Sequence, residues 1–180
     1  MIKLTSPYEQ CPSYETERLL LRLVKESDAK ELLECYADPD AAALFNADNC
    51  PHNFICHTVE EMTNYITYWL EEYAGRGFVR FSVIDKQTQT AVGTVEMFSH
   101  AQLQKTGVMR IDLKSEAEKA ELLTELLKLA SSHFFTAFDV KHILTKAVPK
   151  ATVRIDALLR SGYTAVQDNA VLPFADYYMK

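Results

Sequence analysis

The fold is set at residues 107–120, GVMRIDLKSEAEKA, a pattern that predicts a β-strand leading directly into a long helix. Apolar side chains alternate with largely polar ones along the first half of this stretch. Met109 and Ile111 therefore share one face of the strand, and Arg110 and Asp112 share the other. We expect the first face in a hydrophobic core and the second beside polar groups.

The second half of the stretch predicts how the helix begins. Ser115 is a natural N-cap, and Glu118, three residues later, completes a capping box. A strand-to-helix junction aims free backbone N–H groups and the positive end of the helix dipole at one point, which makes an anion site. The helix then buries an apolar stripe made of Leu122, Leu123, Leu126, Leu127, Ala130 and Phe134.

Strand and helix signals alternate along the rest of the chain, and a second capping box lies at Thr58-Val59-Glu60-Glu61. We expect strands at 19–24, 78–84, 91–98 and 143–147, a closing antiparallel pair at 163–166 and 171–179, helices beginning at Ser27, Thr58 and Thr152, and irregular chain at 1–16 and 38–57. The prediction is one α/β domain over residues 1–180, with a mixed, mostly antiparallel sheet flanked by helices.

Composition limits the classes of function. With 180 residues, 48% of them hydrophobic and 24% charged, the chain can bury a full core and is not a disordered protein. Its net charge of −6 argues against nucleic acid or an anionic membrane as the partner. No apolar run is long enough to cross a bilayer, and the first residues lack an apolar signal core, so we expect a cytoplasmic protein.

Four potential zinc ligands lie close together at Cys50, His52, Cys56 and His57. Structural zinc sites draw their ligands from two separated pairs, and this spacing matches none of those patterns. We therefore interpret the segment as an ordinary loop and predict no metal site.

Four segments, in chain order, resemble the GNAT family of N-acetyltransferases, specifically the branch that acetylates ribosomal-protein N-termini. Residues 15–22, ETERLLLR, resemble the entry strand of that branch, and residues 91–98, AVGTVEMF, resemble its third strand. The strand-to-helix junction falls where the family binds acetyl-CoA. Residues 147–163 resemble the closing motif that ends here in Gly162-Tyr163.

The resemblance implies that an amine attacks the thioester of acetyl-CoA directly, without a covalent enzyme intermediate. Two central strands, here 108–113 and 143–147, would splay apart to hold the pantetheine arm. The positions that the resemblance assigns to acetyl-CoA are Ile111, Leu113, Lys114, Ser115, Glu116, Ala117, Glu118, Lys119 and Arg154.

The cofactor loop is degenerate relative to the family pattern. Asp112 stands where the family has Gln or Arg, Ser115 and Ala117 replace its glycines, and Ala151 and Arg154 replace the Asn and Ser of the closing motif. A Ser forced into a glycine conformation with positive φ would cost about 1–2 kcal/mol.

Acidic residues add a second departure, because the family's ligand is itself negative. Asp112, Glu116 and Glu118 would each oppose a phosphate. Part of that repulsion would be offset by Lys114, Lys119 and Arg154.

Glu96 is the candidate general base. If Val92, Thr94, Glu96 and Phe98 share one face of their strand, the carboxylate stands among partly apolar neighbours, where burial raises proton affinity. The alternative is an exposed carboxylate paired with Arg110 across the sheet and without a catalytic role.

The general acid is harder to assign. Many relatives place a Tyr four residues before the final Gly, and this chain has Leu158 there. Tyr163 lies nearby and is the remaining candidate, although it occupies the family's aromatic core position.

The leading hypothesis is an N-acetyltransferase that uses acetyl-CoA to acetylate a primary amine, either a protein N-terminus or a small molecule. The first alternative is a non-catalytic module of the same fold, for binding or dimerisation, whose cofactor site has decayed. In a second alternative, the protein retains the cleft but binds a different ligand in it. Aromatic residues at Phe174, Tyr177 and Tyr178 leave room for a homodimer.

Overall fold

The computed structural model describes residues 6–45, 54–167 and 175–180. The strands are β1 (Tyr14–Glu15), β2 (Leu19–Leu23), β3 (Val79–Asp85), β4 (Thr90–Ser99), β5 (Thr106–Leu113), β6 (His142–Lys146), β7 (Thr164–Ala165) and β8 (Tyr177–Met179). The helices are α1 (Ala29–Tyr36), α2 (Pro39–Phe45), α3 (Val59–Ala74), α4 (Ala120–Ala137) and α5 (Thr152–Arg160). The predicted strands and helices each have a counterpart in the described part of the chain.

These strands form one sheet in the order β1-β2-β3-β4-β5-β6-β8-β7. Neighbouring strands are antiparallel except β5 and β6, which run parallel. A parallel pair needs a crossover, and α4 supplies it by returning the chain from the end of β5 to the start of β6. The expected mixed, mostly antiparallel sheet flanked by helices is confirmed.

Each face of the sheet has its own hydrophobic layer. The predicted apolar stripe of α4 is buried against one face, together with Met109 and Ile111 of β5. The other face is covered by α1, α2 and α3, whose core includes Tyr36, Phe45 and Trp69. All eight residues of β5 are consequently buried, including its polar face.

The parallel pair of strands is incomplete, which produces the splayed centre of the sheet. Pairing of β5 with β6 runs from Thr106–His142 to Met109–Thr145 and stops there. Beyond this point β5 continues to Leu113 beside β4, whereas the end of β6 pairs with β8. The predicted separation of these two strands is confirmed, and we call the opening beyond Met109 and Thr145 the strand gap.

Local sequence signals predicted the start of α3 correctly, but they predicted irregular structure wrongly in two other segments. The capping box of α3 forms as predicted, since Glu61 N–H donates to Thr58 Oγ1 at 3.1 Å. The segment expected to be irregular from residue 38 instead opens with α2, because Pro39 at the first helical position loses no hydrogen bond and has a helical φ. Irregular structure over residues 1–16 was also wrong at its end, where β1 pairs with β2.

The aromatic residues proposed for a dimer surface do not form one exposed patch. Tyr177 is buried in β8, Tyr178 is half-buried, and Phe174 lies outside the described residues. The expectation that Tyr177 is exposed was wrong because its side chain packs in a small hydrophobic cluster with Val108 and Leu144. Among the described residues, no helix combines the length and apolar character that spanning a membrane requires.

Candidate functional site

A row of charged side chains crosses three strands on the face covered by α1, α2 and α3. Arg80 of β3, Glu96 of β4 and Arg110 of β5 are aligned in register. Thr94 and Asp112 form the next rung, two residues along. Because side chains alternate along a strand, these residues point to the same side of the sheet.

Asp112 is the centre of the hydrogen bonds in this row. Its carboxylate accepts from Arg110 Nε at 2.8 and 3.0 Å, from Arg80 Nη1 at 3.2 Å and from the Tyr36 hydroxyl at 2.7 Å. Burial, and after it the charge of Asp112, holds the pKa of Tyr36 well above its ordinary value, so the phenol remains a donor. The expectation that Asp112 opposes a bound phosphate was wrong, because its charge is compensated by two arginines on this face.

Arg80 is held by both an aromatic ring and a carboxylate. Its guanidinium carbon lies 4.2 Å from the ring centroid of Trp69, and its Nη2 donates to Glu96 Oε2. Burial by itself would lower the pKa of Arg80, but Glu96, Tyr36 and Asp112 outweigh it and raise that pKa above the ordinary value. Arg80 therefore stays charged and fixes one oxygen of the Glu96 carboxylate.

Glu96 borders a cavity of about 260 Å³. We call this cavity the aromatic pocket; its lining consists of Phe54, Tyr68, Trp69, Glu72, Gly77, Phe78, Arg80, Glu96, Phe98 and Arg110. The Glu96 side chain is 12% exposed, and its second oxygen, Oε1, has no hydrogen-bond partner among the described residues. The alternative of an exposed carboxylate paired with Arg110 does not hold, since the side chain is mostly buried and its partner is Arg80.

A β-bulge decides which side chains accompany Glu96. Pairing of β3 and β4 shifts between Val83–Gly93 and Ile84–Ala91, which leaves Val92 as the extra residue. Val92 consequently packs in the core beneath α4, and the expectation that it shares the face of Glu96 was wrong. Gly93 is required here because a Cβ would collide with the backbone carbonyl of Asp112.

The predicted anion loop has a different shape from the one expected. Ser115–Ala117 forms a 3₁₀ turn with negative φ at Ser115, and α4 begins at Ala120 with Lys119 as an N-cap lacking a side-chain bond. The capping box of Ser115 with Glu118 was therefore wrong, as was the strain expected from a Ser with positive φ. The loop instead satisfies its own backbone, since Glu118 N–H donates to Ser115 O and Lys119 N–H to Ala117 O.

Two carboxylates from the first helices already occupy donors at the start of this loop. The Ser115 N–H donates to Asp38 at 3.2 Å, and Lys114 Nζ lies 2.6 Å from Glu34. Slight burial alone would raise the pKa of Asp38, but hydrogen bonds from Ser115, Ala41 and Asp40 lower it below its ordinary value. Asp38 is thus held as an anion beside the loop. Glu116 and Lys119, also assigned to acetyl-CoA, are exposed.

A third carboxylate is paired deep in the strand gap. Arg154 of α5 donates from Nε and Nη2 to Glu118 at 2.6 and 2.8 Å, and from Nη1 to the Ile111 carbonyl at 2.9 Å. The two side chains are 2% and 7% exposed. The resemblance assigns the backbone near Ile111 and Leu113 to the pantetheine arm, yet here the Ile111 carbonyl already accepts a hydrogen bond from Arg154.

Whether coenzyme A fits the assigned residues depends on which of their hydrogen-bond donors and acceptors are free. A diphosphate needs free N–H and cationic donors, and the thioester arm needs free backbone on β5. In this arrangement the donors of Ser115, Lys114 and Arg154 are taken by Asp38, Glu34 and Glu118, and Ile111 is taken by Arg154. The residues as placed do not fit the ligand without displacement of the Arg154 side chain.

The remaining predicted site residues lie apart from the aromatic pocket. Tyr163 is 1% exposed in the core beneath α4, where burial, partly offset by the Ser131 hydroxyl, raises its pKa to about 12. Of the four potential zinc ligands, Cys50 and His52 lie outside the described residues. Within the described ranges, no cluster of three metal-ligating side chains forms.

Sequence reasoning missed several residues of the aromatic pocket. Tyr36, Trp69 and Arg80 were assigned no site role. One signal was available for Arg80, because β3 places Arg80 and Ser82 on a face that is otherwise buried, as β5 does with Arg110 and Asp112. Polar residues at alternating positions on the strands of one sheet indicate a shared polar layer.

Comparisons with known proteins agree with this architecture. A family model described as "Acetyltransferase (GNAT) domain" matches residues 18–164. A protein of Bacillus subtilis (strain 168), "Uncharacterized N-acetyltransferase YoaA", is 20% identical over 132 residues, which cover 73% of this chain and 71% of that protein.

Two solved structures of ribosomal-protein acetyltransferases share the fold at low identity. The ribosomal-protein-S5-alanine acetyltransferase from Vibrio fischeri superposes with a TM-score of 0.70 at 19% identity, covering 94% of this chain and 96% of that one. A ribosomal L7/L12 alpha-N-protein acetyltransferase in complex with coenzyme A gives a TM-score of 0.71 at 12% identity, covering 93% and 96%.

Proposed function

Because this chain belongs to the GNAT acetyltransferase family, we propose that it transfers an acetyl group to a primary amine bound in the aromatic pocket beside Glu96. The amine belongs either to a protein N-terminus or to a small molecule. The ribosomal-protein acetyltransferases that share the fold favour the first. Acetyl-CoA is the donor that the family implies, and its entry requires the Arg154 side chain to move.

The observation that carries this proposal is the state of the Glu96 carboxylate. Glu96 lines the pocket, Arg80 holds its Oε2, and its Oε1 has no hydrogen-bond partner among the described residues. A general base needs an oriented carboxylate with one oxygen available to the proton it accepts. Glu96 meets both conditions, so we assign it the role of accepting the proton of the incoming ammonium.

The aromatic walls suit an amine for a further reason. Trp69, Phe78 and Phe54 present rings around Arg80, and Glu72 lies at the pocket lining together with Glu96. Aromatic faces and carboxylates both stabilise a cation, and two arginines keep the pocket from being uniformly acidic. We assign no catalytic role to Tyr163, which lies in the core.

The test is acetylation of an N-terminal peptide and of a set of small primary amines, followed by mass spectrometry. Replacing Glu96→Gln keeps the shape of the side chain and removes the base, so kcat is expected to fall about 100-fold. Glu71→Gln, the same change at an exposed position of α3, serves as the control and should retain wild-type turnover. Equal rates for the Glu96 variant and the wild type would remove Glu96 from the mechanism.

A specific observation favours a second candidate, the non-catalytic module with a decayed cofactor site. The paired Glu118 and Arg154 fill the strand gap, and Arg154 stands where the family pattern has Ser. Absence of any acetylated product, together with absence of coenzyme A binding by the wild type and by variants of this pair, would establish that candidate.

A further inference from the structure

We propose that the ion pair of Glu118 with Arg154 is a latch that keeps the strand gap closed until an anionic ligand of the coenzyme A class displaces the Glu118 carboxylate. This inference rests on the proposed function for the identity of the ligand. It assigns to two residues of this chain a regulatory contact at the entry of the donor.

The geometry of Arg154 makes the two states exclusive. All three of its guanidinium nitrogens donate, two of them to Glu118 and the third to the Ile111 carbonyl. A thioester arm cannot pair with that carbonyl while Arg154 does so. The gap therefore opens only when the guanidinium leaves Ile111.

The carboxylate of Glu118 resembles the phosphate group that would replace it. A carboxylate and a phosphate both offer two oxygens to the parallel N–H groups of a guanidinium. The pair is nearly dry, with side-chain exposures of 2% and 7%. An incoming phosphate thus competes with Glu118 for Nε and Nη2 of Arg154, and the guanidinium leaves the Ile111 carbonyl when it follows the phosphate.

The position of Glu118 allows the exchange. Glu118 lies between the 3₁₀ turn and α4, with ψ of 63°, and is therefore outside both helical segments. On one side the loop is anchored through Ser115 to Asp38 and through Lys114 to Glu34. Release of the Glu118 side chain consequently leaves these anchors and the start of α4 in place.

A latch of this kind lowers the apparent affinity for the ligand. When the open state is a minor fraction of the molecules, the observed Kd is the intrinsic Kd divided by that fraction. Weakening the latch raises the open fraction, so affinity should increase without any new contact to the ligand.

The test is isothermal titration of the whole chain with coenzyme A, so the readout is binding rather than turnover. Glu118→Gln is expected to lower the Kd about tenfold, because a neutral amide holds Arg154 less strongly. Glu121→Gln, an equal charge change at an exposed position in the first turn of α4, should stay within about twofold of the wild type. Thermal melting with each variant verifies folding.

A second variant covers the case in which Glu118→Gln does not fold. The double variant Glu118→Gln with Arg154→Ser leaves no unpaired buried charge and restores the Ser of the family pattern. It is expected to bind coenzyme A at least as tightly as the wild type, because the Ile111 carbonyl and the gap are free.

The outcomes separate the latch from the proposed function. Tighter binding in the variants supports the latch, whether or not an amine is acetylated. An unchanged Kd in Glu118→Gln with measurable turnover overturns the latch and keeps the proposed function. Failure of the wild type and of both variants to bind coenzyme A overturns the latch and the proposed donor together.

Discussion

The aromatic pocket and the strand gap each contain a buried arginine paired with a glutamate. They differ in whether the arginine engages one or both oxygens of the glutamate. Arg80 engages one oxygen of Glu96, a residue that lines a cavity, and the other oxygen has no hydrogen-bond partner among the described residues. Arg154 engages both oxygens of Glu118 and also the nearby Ile111 carbonyl. A buried ion pair therefore indicates chemistry only where one atom remains for a ligand.

The difference also follows from the surroundings of each pair. Arg80 is held by Trp69, Tyr36 and Asp112, so the guanidinium does not need both oxygens of Glu96. Arg154 projects into the gap between two strands that no longer pair. It pairs there with the carboxylate of Glu118.

The largest effect is expected from removing the charge at the centre of the aromatic-pocket network. Asp112→Ala leaves Arg80 and Arg110 without a shared buried anion, which should lower the free energy of unfolding by about 4 kcal/mol. Urea denaturation at neutral pH measures this change. As a control, Asp156→Ala breaks an exposed pair with Arg160 and should cost less than about 1 kcal/mol. A loss below about 1 kcal/mol for Asp112→Ala would show that the network does not stabilise the fold.

A smaller loss of stability, which depends on pH, is expected from replacing Asp28, which lies beside the same network. Asp28 accepts hydrogen bonds from Arg22, from Ser82 Oγ at 2.6 Å and from Lys25 N–H at 3.0 Å. Burial alone would raise the pKa of Asp28, but these bonds outweigh it and lower that pKa. Asp28→Asn should therefore cost about 2–3 kcal/mol at neutral pH.

The sign of this dependence follows from the lowered pKa. A carboxylate stabilised in the folded state contributes above its unfolded pKa of about 4 and loses the contribution as pH falls through its folded pKa. The stability difference between wild type and Asp28→Asn should thus be constant near pH 7 and shrink below about pH 4. Denaturation curves at several pH values measure it, and a difference that persists unchanged at pH ~2 would contradict the lowered pKa.

The smallest effect is expected at the loop of the strand gap. Ser115 occupies a 3₁₀ turn with negative φ, so Ser115→Gly relieves no strain and adds freedom to the unfolded chain. We expect a loss of about 0.5–1 kcal/mol in stability and no gain in affinity for coenzyme A. Titration and denaturation of this one variant measure both. A clear gain in affinity would show that the loop, and not Arg154, closes the gap.

Much of the fold could be predicted because its signals are local. Alternation in β5, the stripe of α4, the capping box of α3 and the stop at Gly162 each depend on residues close in sequence. Glu96 was proposed as the base in the same way, from the strand on which it lies. Its partner Arg80 was not found, because it comes from a different strand in the sheet.

The sequence by itself determined most of the elements in chain order, through their periodicity, and the family, through its motifs. The break between the central strands followed from the resemblance to that family. Only the tertiary structure decided what the charges do. Asp112 and Glu118 are both acids near the end of β5, yet one stabilises two arginines under α1 and the other fills the gap with Arg154. The physical reason is that an ion pair depends on which face each strand and helix presents to its neighbours, and packing over long sequence separations sets that arrangement.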